Sequence, residues 1–100
     1  MVKNWKNIKL DLGIIRPYSK KSITFECIDS LADVETITAS CKCVKTKVEG
    51  DSIVASFQPG DIPKHLLLAK IPQYKFNKTV KVYYKNGECD LLQFNGIVRR

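Results

Sequence analysis

The sequence predicts an all-β domain, a β-sandwich of about seven antiparallel strands. Three observations lead there. Apolar residues recur with a period of two along most of the chain, which is the pleated-sheet period and not the helical one. Turn signals at Gly13, Pro17, Gly50, Pro59, Gly60 and Asn86-Gly87 cut this pattern into short runs. No long amphipathic helix interrupts it.

Taken in order, residues 7–10 with Leu12 form a short first strand, which Gly13 and Pro17 interrupt. In 22–28, Ile23, Phe25 and Cys27 fall on one face and Ser22, Thr24 and Glu26 on the other. The stretch 34–44 is rich in β-branched residues, and Ile37, Ala39, Cys41 and Cys43 share a parity. Glu49-Gly50-Asp51 reads as a turn, after which Ile53, Ala55 and Phe57 alternate with Ser52, Val54 and Ser56. Two prolines keep 58–63 out of any central strand. The segment 65–71 suits a helical turn or a strand, and Pro72 ends it. A strand over 78–85 presents Val80, Val82 and Tyr84 on one face. Asn86-Gly87 predicts a type I′ hairpin turn, because both residues tolerate positive φ. The returning strand, 88–98, turns Leu92 and Phe94 inward.

One hundred residues, 44% of them hydrophobic and 27% charged, suit one globular domain without a linker or repeat. The longest apolar run, Leu66-Leu67-Leu68-Ala69, is far shorter than the roughly 20 residues of a membrane-spanning helix, so no membrane partner is expected. The first residues lack the apolar core of a secretory signal. The chain is therefore expected to act where it is made, or to leave as part of something larger.

A formal charge of +7 favours an anionic partner, yet the lysines are scattered. Lys42, Lys45 and Lys47, and Arg99-Arg100, come nearest to clusters. A nucleic-acid reader would need a basic stripe with exposed aromatics, so nucleic acid is not the expected partner. A basic nucleic-acid-binding domain stays a minor alternative that rests on charge alone.

Cys27, Cys41, Cys43 and Cys89 lack the C-x-x-C spacing of a zinc ribbon. All four are expected as reduced core cysteines. On one strand, Cys41 and Cys43 would lie about 6.6 Å apart with parallel side chains, which disfavours a mutual disulfide. A link from Cys27 or Cys89 to one of them is geometrically easier. Lys42 would point to the opposite face, so no redox enzyme is expected. There is no nucleophile elbow, no phosphate-cradling loop, and His65 has no evident partner. No catalytic residue, cofactor, metal or small-molecule substrate is expected.

The order Asp11-Leu12-Gly13-Ile14-Ile15, Ile23-Thr24-Phe25 and Ile37-Thr38-Ala39-Ser40-Cys41-Lys42-Cys43 resembles a bacterial family of uncharacterised immunoglobulin-like (Ig-like) domains. Those domains carry a Ser-Cys-Gly-Cys-Thr motif and are related to the Hydin-type Ig-like domains of cilia and centrosomes. Residues 78–84 and 91–98 look like the family's last two strands, so the resemblance spans about residues 8–98. Lys42 replaces the motif's glycine, Val44 its threonine, and 29–33 its Asn-x-Gly turn. The resemblance implies a single Ig-like domain over 1–100, with 1–7 as an N-terminal arm. It is similar to copies carried by tailed phages, which implies a non-enzymatic structural component of a virion, made in the host cytoplasm. The expected role is to decorate or stabilise the capsid, with capsid or other virion proteins as partners. The alternative is a soluble Ig-like protein-binding module outside the virion.

Trp5 between Lys3 and Lys6 makes the arm a candidate contact, aromatic anchors being dominant in interfaces. The competing expectation is that Trp5 caps one end of the sandwich. Tyr74 and Phe76, with Arg99 and Arg100, form the second set of interface candidates. Tyr18 is expected to pack on a loop.

Overall fold

A computed structural model describes residues 2–68, 70 and 72–100. Seven strands follow one another: β1 (Lys9–Ile15), β2 (Lys21–Glu26), β3 (Val34–Ala39), β4 (Val44–Glu49), β5 (Ser52–Phe57), β6 (Gln73–Tyr84) and β7 (Cys89–Arg99). A 3₁₀ turn, Lys64–Leu66, lies between β5 and β6, so the ambiguous 65–71 segment takes the helical option where it is described. The strands form a four-stranded sheet, ordered β1-β7-β6-β3, and a three-stranded sheet, ordered β2-β5-β4. The two layers make the all-β, Ig-like sandwich expected from the sequence.

The period-two pattern explains the core. One layer supplies Ile23, Phe25, Ile53, Ala55 and Phe57; the other supplies Phe76, Val80, Val82, Tyr84, Leu92, Phe94 and Val98, all buried. Each buried Val, Leu, Ile or Phe among them contributes about 1.5–3 kcal/mol through burial. The rings of Phe57, Phe76 and Phe94 meet at centroid distances of 4.9, 5.5 and 6.4 Å, tying the layers together at one end.

Several expectations need correction. Strand β6 starts at Gln73 and not at residue 78, because β7 continues to Arg99 and pairs with it from Gln73↔Arg99 to Tyr83↔Cys89. The hairpin turn has positive φ at Gly87 alone, with the Gly87 N–H donating to the Tyr84 carbonyl at 3.0 Å. This is a type I turn followed by a left-handed glycine, not type I′; the Asn86 side chain accepts the Glu88 N–H at 3.0 Å instead. The run 34–44 is two strands in different layers, β3 and β4, split by a turn at 40–43. The strands are also not all antiparallel, since β1 runs parallel to β7.

That parallel pairing follows from a change of sheet near the N-terminus. Trp5 bridges Cys27, with the Lys6 N–H on the Glu26 carbonyl (2.9 Å) and the Ile28 N–H on that of Asn4 (2.8 Å), so the chain first lies along the smaller layer. The Gln93 N–H then takes the Ile8 carbonyl at 2.9 Å, and β1 continues beside β7 in the larger layer.

Candidate functional site

The Asp11-x-Gly13 motif builds the most distinctive surface feature. Asp11 Oδ1 accepts the Gly13 N–H at 2.8 Å, and Gly13 adopts φ +68°, a conformation that strains residues with a Cβ. The register therefore jumps from Asp11↔Asn95 to Ile14↔Ile97, leaving Leu12 and Gly13 opposite Gly96 alone. This β-bulge reverses side-chain parity. Ile15 turns into the core at 4% exposure, and Ile14 turns outward at 58%. On the partner strand, a Cβ at Gly96 would lie 2.7 Å from Phe76 Cζ and 2.9 Å from the Gly13 carbonyl oxygen. Only glycine fits beneath the bulge.

Beside the bulge opens a cleft of about 450 Å³ on the outer face of the larger sheet. Asp11 and Ile14 of β1, Asn95 and Ile97 of β7, and Lys75 and Asn77 of β6 line it. Asn95 lines the cleft, and its Oδ1 is buried with no hydrogen-bonding partner among the described residues. A buried amide oxygen left unpaired costs free energy, and turning the Asn95 amide toward an N–H or O–H held in the cleft would recover it. The cleft thus offers an acceptor, an ammonium, a carboxylate and two isoleucine walls, a set suited to recognition.

A second polar centre lies at the opposite end of the β6–β7 hairpin. Asp90, 1% exposed, accepts the Val2 N–H (2.7 Å), the Lys3 N–H (3.0 Å), Trp5 Nε1 (3.0 Å) and the Tyr84 hydroxyl (2.7 Å). Burial pushes this carboxyl up, but the bonds from Trp5, Tyr84, Val2 and Lys3 outweigh it and hold the group below the usual range. Burial, then the neighbouring carboxylate, drives the Tyr84 phenol well above its ordinary value. The Lys3 ammonium bonds Asp33 at 2.9 Å and lies 4.9 Å from the Tyr84 ring centroid. That bond raises Lys3 and lowers Asp33. The signal for Asp90 was its parity: it shares the inward face of β7 with Leu92 and Phe94.

The residues singled out from sequence are therefore dispersed. Trp5 and Lys3 are held in the Asp90 network, so residues 2–7 lie docked along the sandwich and Trp5 caps its end. Lys6 pairs with Glu26 at 2.9 Å, both being exposed. Tyr74, Phe76, Arg99 and Arg100 are toward the other end, about 20–33 Å from Asp90 along the strand. Phe76 is a core residue at 6% exposure, and Tyr74 packs half-buried against the core. Arg100 Nη2 bonds both oxygens of Asp61, at 2.8 and 2.9 Å. Arg99 is half-buried at the end of β7. Tyr18 is 63% exposed, although its backbone is pinned to Gln58 and Pro59.

Three of the four cysteines depart from expectation, Cys27 being a core cysteine as expected. Cys27 is buried, and burial pushes its thiol up. Cys89 is exposed, so it is not a core cysteine. Cys41 and Cys43 occupy the turn between β3 and β4, only partly buried, and are joined to each other in a disulfide. Their Cα atoms are 5.2 Å apart, because a turn contracts the spacing that an extended strand would impose.

No family model and no curated protein matches the chain. Among solved structures it is similar to a point mutant of the SrpA adhesin from Streptococcus sanguinis, with a TM-score of 0.57 and 12% identity over 96% of this chain and 55% of that one. The unmutated SrpA adhesin gives a TM-score of 0.50 at 12% identity, over 87% of this chain and 51% of that one. The chain thus spans about half the length of these adhesin chains. At such identity the likeness speaks for the fold: this chain has the β-sandwich architecture also found in these adhesin structures.

Proposed function

We propose that this chain is a non-enzymatic protein-binding module, and in its most concrete form a structural accessory of a phage virion that decorates or stabilises the capsid. The observation that carries the binding role is the cleft beside the β1 bulge, lined in part by Asn95, whose Oδ1 is buried without a partner among the described residues. A partner segment would place an N–H on Asn95, a carboxylate on Lys75 and an apolar side chain between Ile14 and Ile97. The adhesin likeness is compatible with such a use, as a fold analogy. The virion role rests on the resemblance of the Asp11–Ile15 and Ser40–Cys43 stretches to phage-borne Ig-like domains, and on the net charge of +7. A basic accessory suits an acidic shell, where weak contacts repeated over many copies sum through avidity.

The test is to band intact particles from the native source on a density gradient and quantify this polypeptide by mass spectrometry. Recovery in the particle peak at a fixed ratio to a shell protein is the expected result. Recovery only in the soluble fraction would remove the virion role and leave a binding module outside the particle.

A further inference from the structure

We infer that the turn joining β3 to β4 is a thiol–disulfide exchange site, at which Cys43 forms a mixed disulfide with a small carboxylate-bearing thiol. The bond closes a loop of residues 41–43 only. Cross-link stabilisation grows with loop length, so this one does little as a staple. The turn is already held without it. The Ser40 N–H bonds the Thr79 carbonyl at 3.0 Å, Ser40 Oγ accepts the Thr79 N–H at 3.0 Å, and the Val44 N–H bonds the Cys41 carbonyl at 3.1 Å.

The two sulfurs are not equivalent. Cys41 Sγ accepts the Cys43 backbone N–H at 3.2 Å, which stabilises negative charge on Cys41 as it leaves. Cys43 instead borders a depression of about 140 Å³ whose walls include Lys20, Lys45 and Gln58. Two ammonium groups there raise the local concentration of an anionic thiol beside Cys43. Cys27 is buried, and Cys89 is unpaired on the surface, so neither provides this arrangement.

The chemistry balances as ordinary exchange. A thiolate attacks Cys43 Sγ, the bond to Cys41 breaks, and Cys41 departs as thiolate with the electron pair. A second thiol attacks the mixed disulfide and releases the oxidised thiol dimer. Cys41 and Cys43 are then left as a dithiol, reduced by two electrons.

The experiment uses the whole chain carrying Cys89→Ser, oxidised at the turn, with glutathione as the probe. Early time points are quenched with an alkylating agent and mapped by mass spectrometry after cleavage at Lys42, which separates the two cysteines. Glutathione on Cys43 with alkylated Cys41 is the expected product. In the same chain, Lys20→Gln with Lys45→Gln should slow the reaction with glutathione about threefold or more while leaving the rate with uncharged 2-mercaptoethanol unchanged. Raising salt should slow the glutathione reaction of the unsubstituted turn in the same selective way. Glutathione on Cys41 or shared evenly, a turn that stays oxidised, or equal lysine and salt effects on both thiols would each overturn the inference.

Discussion

The two ends of the β6–β7 hairpin treat a buried polar group in opposite ways. At the turn end, the Asp90 carboxylate is 1% exposed and receives four hydrogen bonds, three of them from residues 2–5. At the other end, the Asn95 amide oxygen is buried and receives none from the described residues. The first group closes the fold by fastening the N-terminal segment across the sandwich. The second leaves a defect that an external donor would mend. Satisfied buried polar groups specify structure, whereas an unsatisfied one at a cleft marks where a partner has energy to gain.

Replacing residues at the two ends should therefore divide stability from binding. Asp90→Ala should have the largest effect, a loss of about 3 kcal/mol or more, since the Tyr84 hydroxyl and the indole N–H lose their acceptor in a dry setting. Urea unfolding would measure it. Gly96→Ala should cost about 1–3 kcal/mol, because the added Cβ would lie 2.7 Å from Phe76 Cζ, and the same titration would show it. Trp5→Phe, which keeps an aromatic ring but removes the indole donor to Asp90 and some packing, should cost about 1–2 kcal/mol. Asn95→Ala should not lower stability and should raise it by up to about 1 kcal/mol, since it deletes a buried acceptor that bonds nothing among the described residues. A large loss of stability in that variant would mean that the amide has an internal role, and the contrast between the two ends would fail.

Acid sharpens the same comparison. The Asp90 carboxyl is depressed in the folded state, so its contribution is present above the ordinary carboxylate value and fades as pH falls through the folded one. Stability should decline below about pH 4, from an aspartate value of about 3.9 in the unfolded chain. Asp33 and Asp61 are lowered too, so part of the decline belongs to them. Asp90→Asn should flatten only the remainder. Identical acid slopes for the two proteins, measured by urea unfolding between about pH 2 and 6, would deny Asp90 its role.

The sequence makes the strands legible wherever one face is buried and the other wet. Ile23 and Phe25, Ile53 to Phe57, and Val80 to Tyr84 all point as their parity requires. Parity fails where the backbone leaves the pleat. At Gly13 a bulge exchanges the faces of Ile14 and Ile15, and at 40–43 a turn divides what the β-branched run presents as one strand. The same turn contracts the Cys41–Cys43 spacing, so an argument built on extended geometry rejected the pairing that forms. Phe76 looked like a contact residue because its neighbours Lys75, Asn77 and Lys78 are polar, yet β7 extends far enough to draw it into the aromatic cluster. The cleft was half legible. Asp11-x-Gly13 is visible as a motif, but Lys75, Asn77 and Asn95 join it only through register across three strands.

The most direct test of the account is to add tagged wild-type chain and its Asn95→Ala variant, side by side, to particles from the native source stripped of this polypeptide. Re-banding should recover the wild type with the shell at a fixed ratio and lose the variant, with the variant unfolding at a urea concentration no lower than the wild type. Equal recovery of a variant at least as stable as the wild type would contradict the cleft as the contact. Absence of both from the particle peak would contradict the virion role itself.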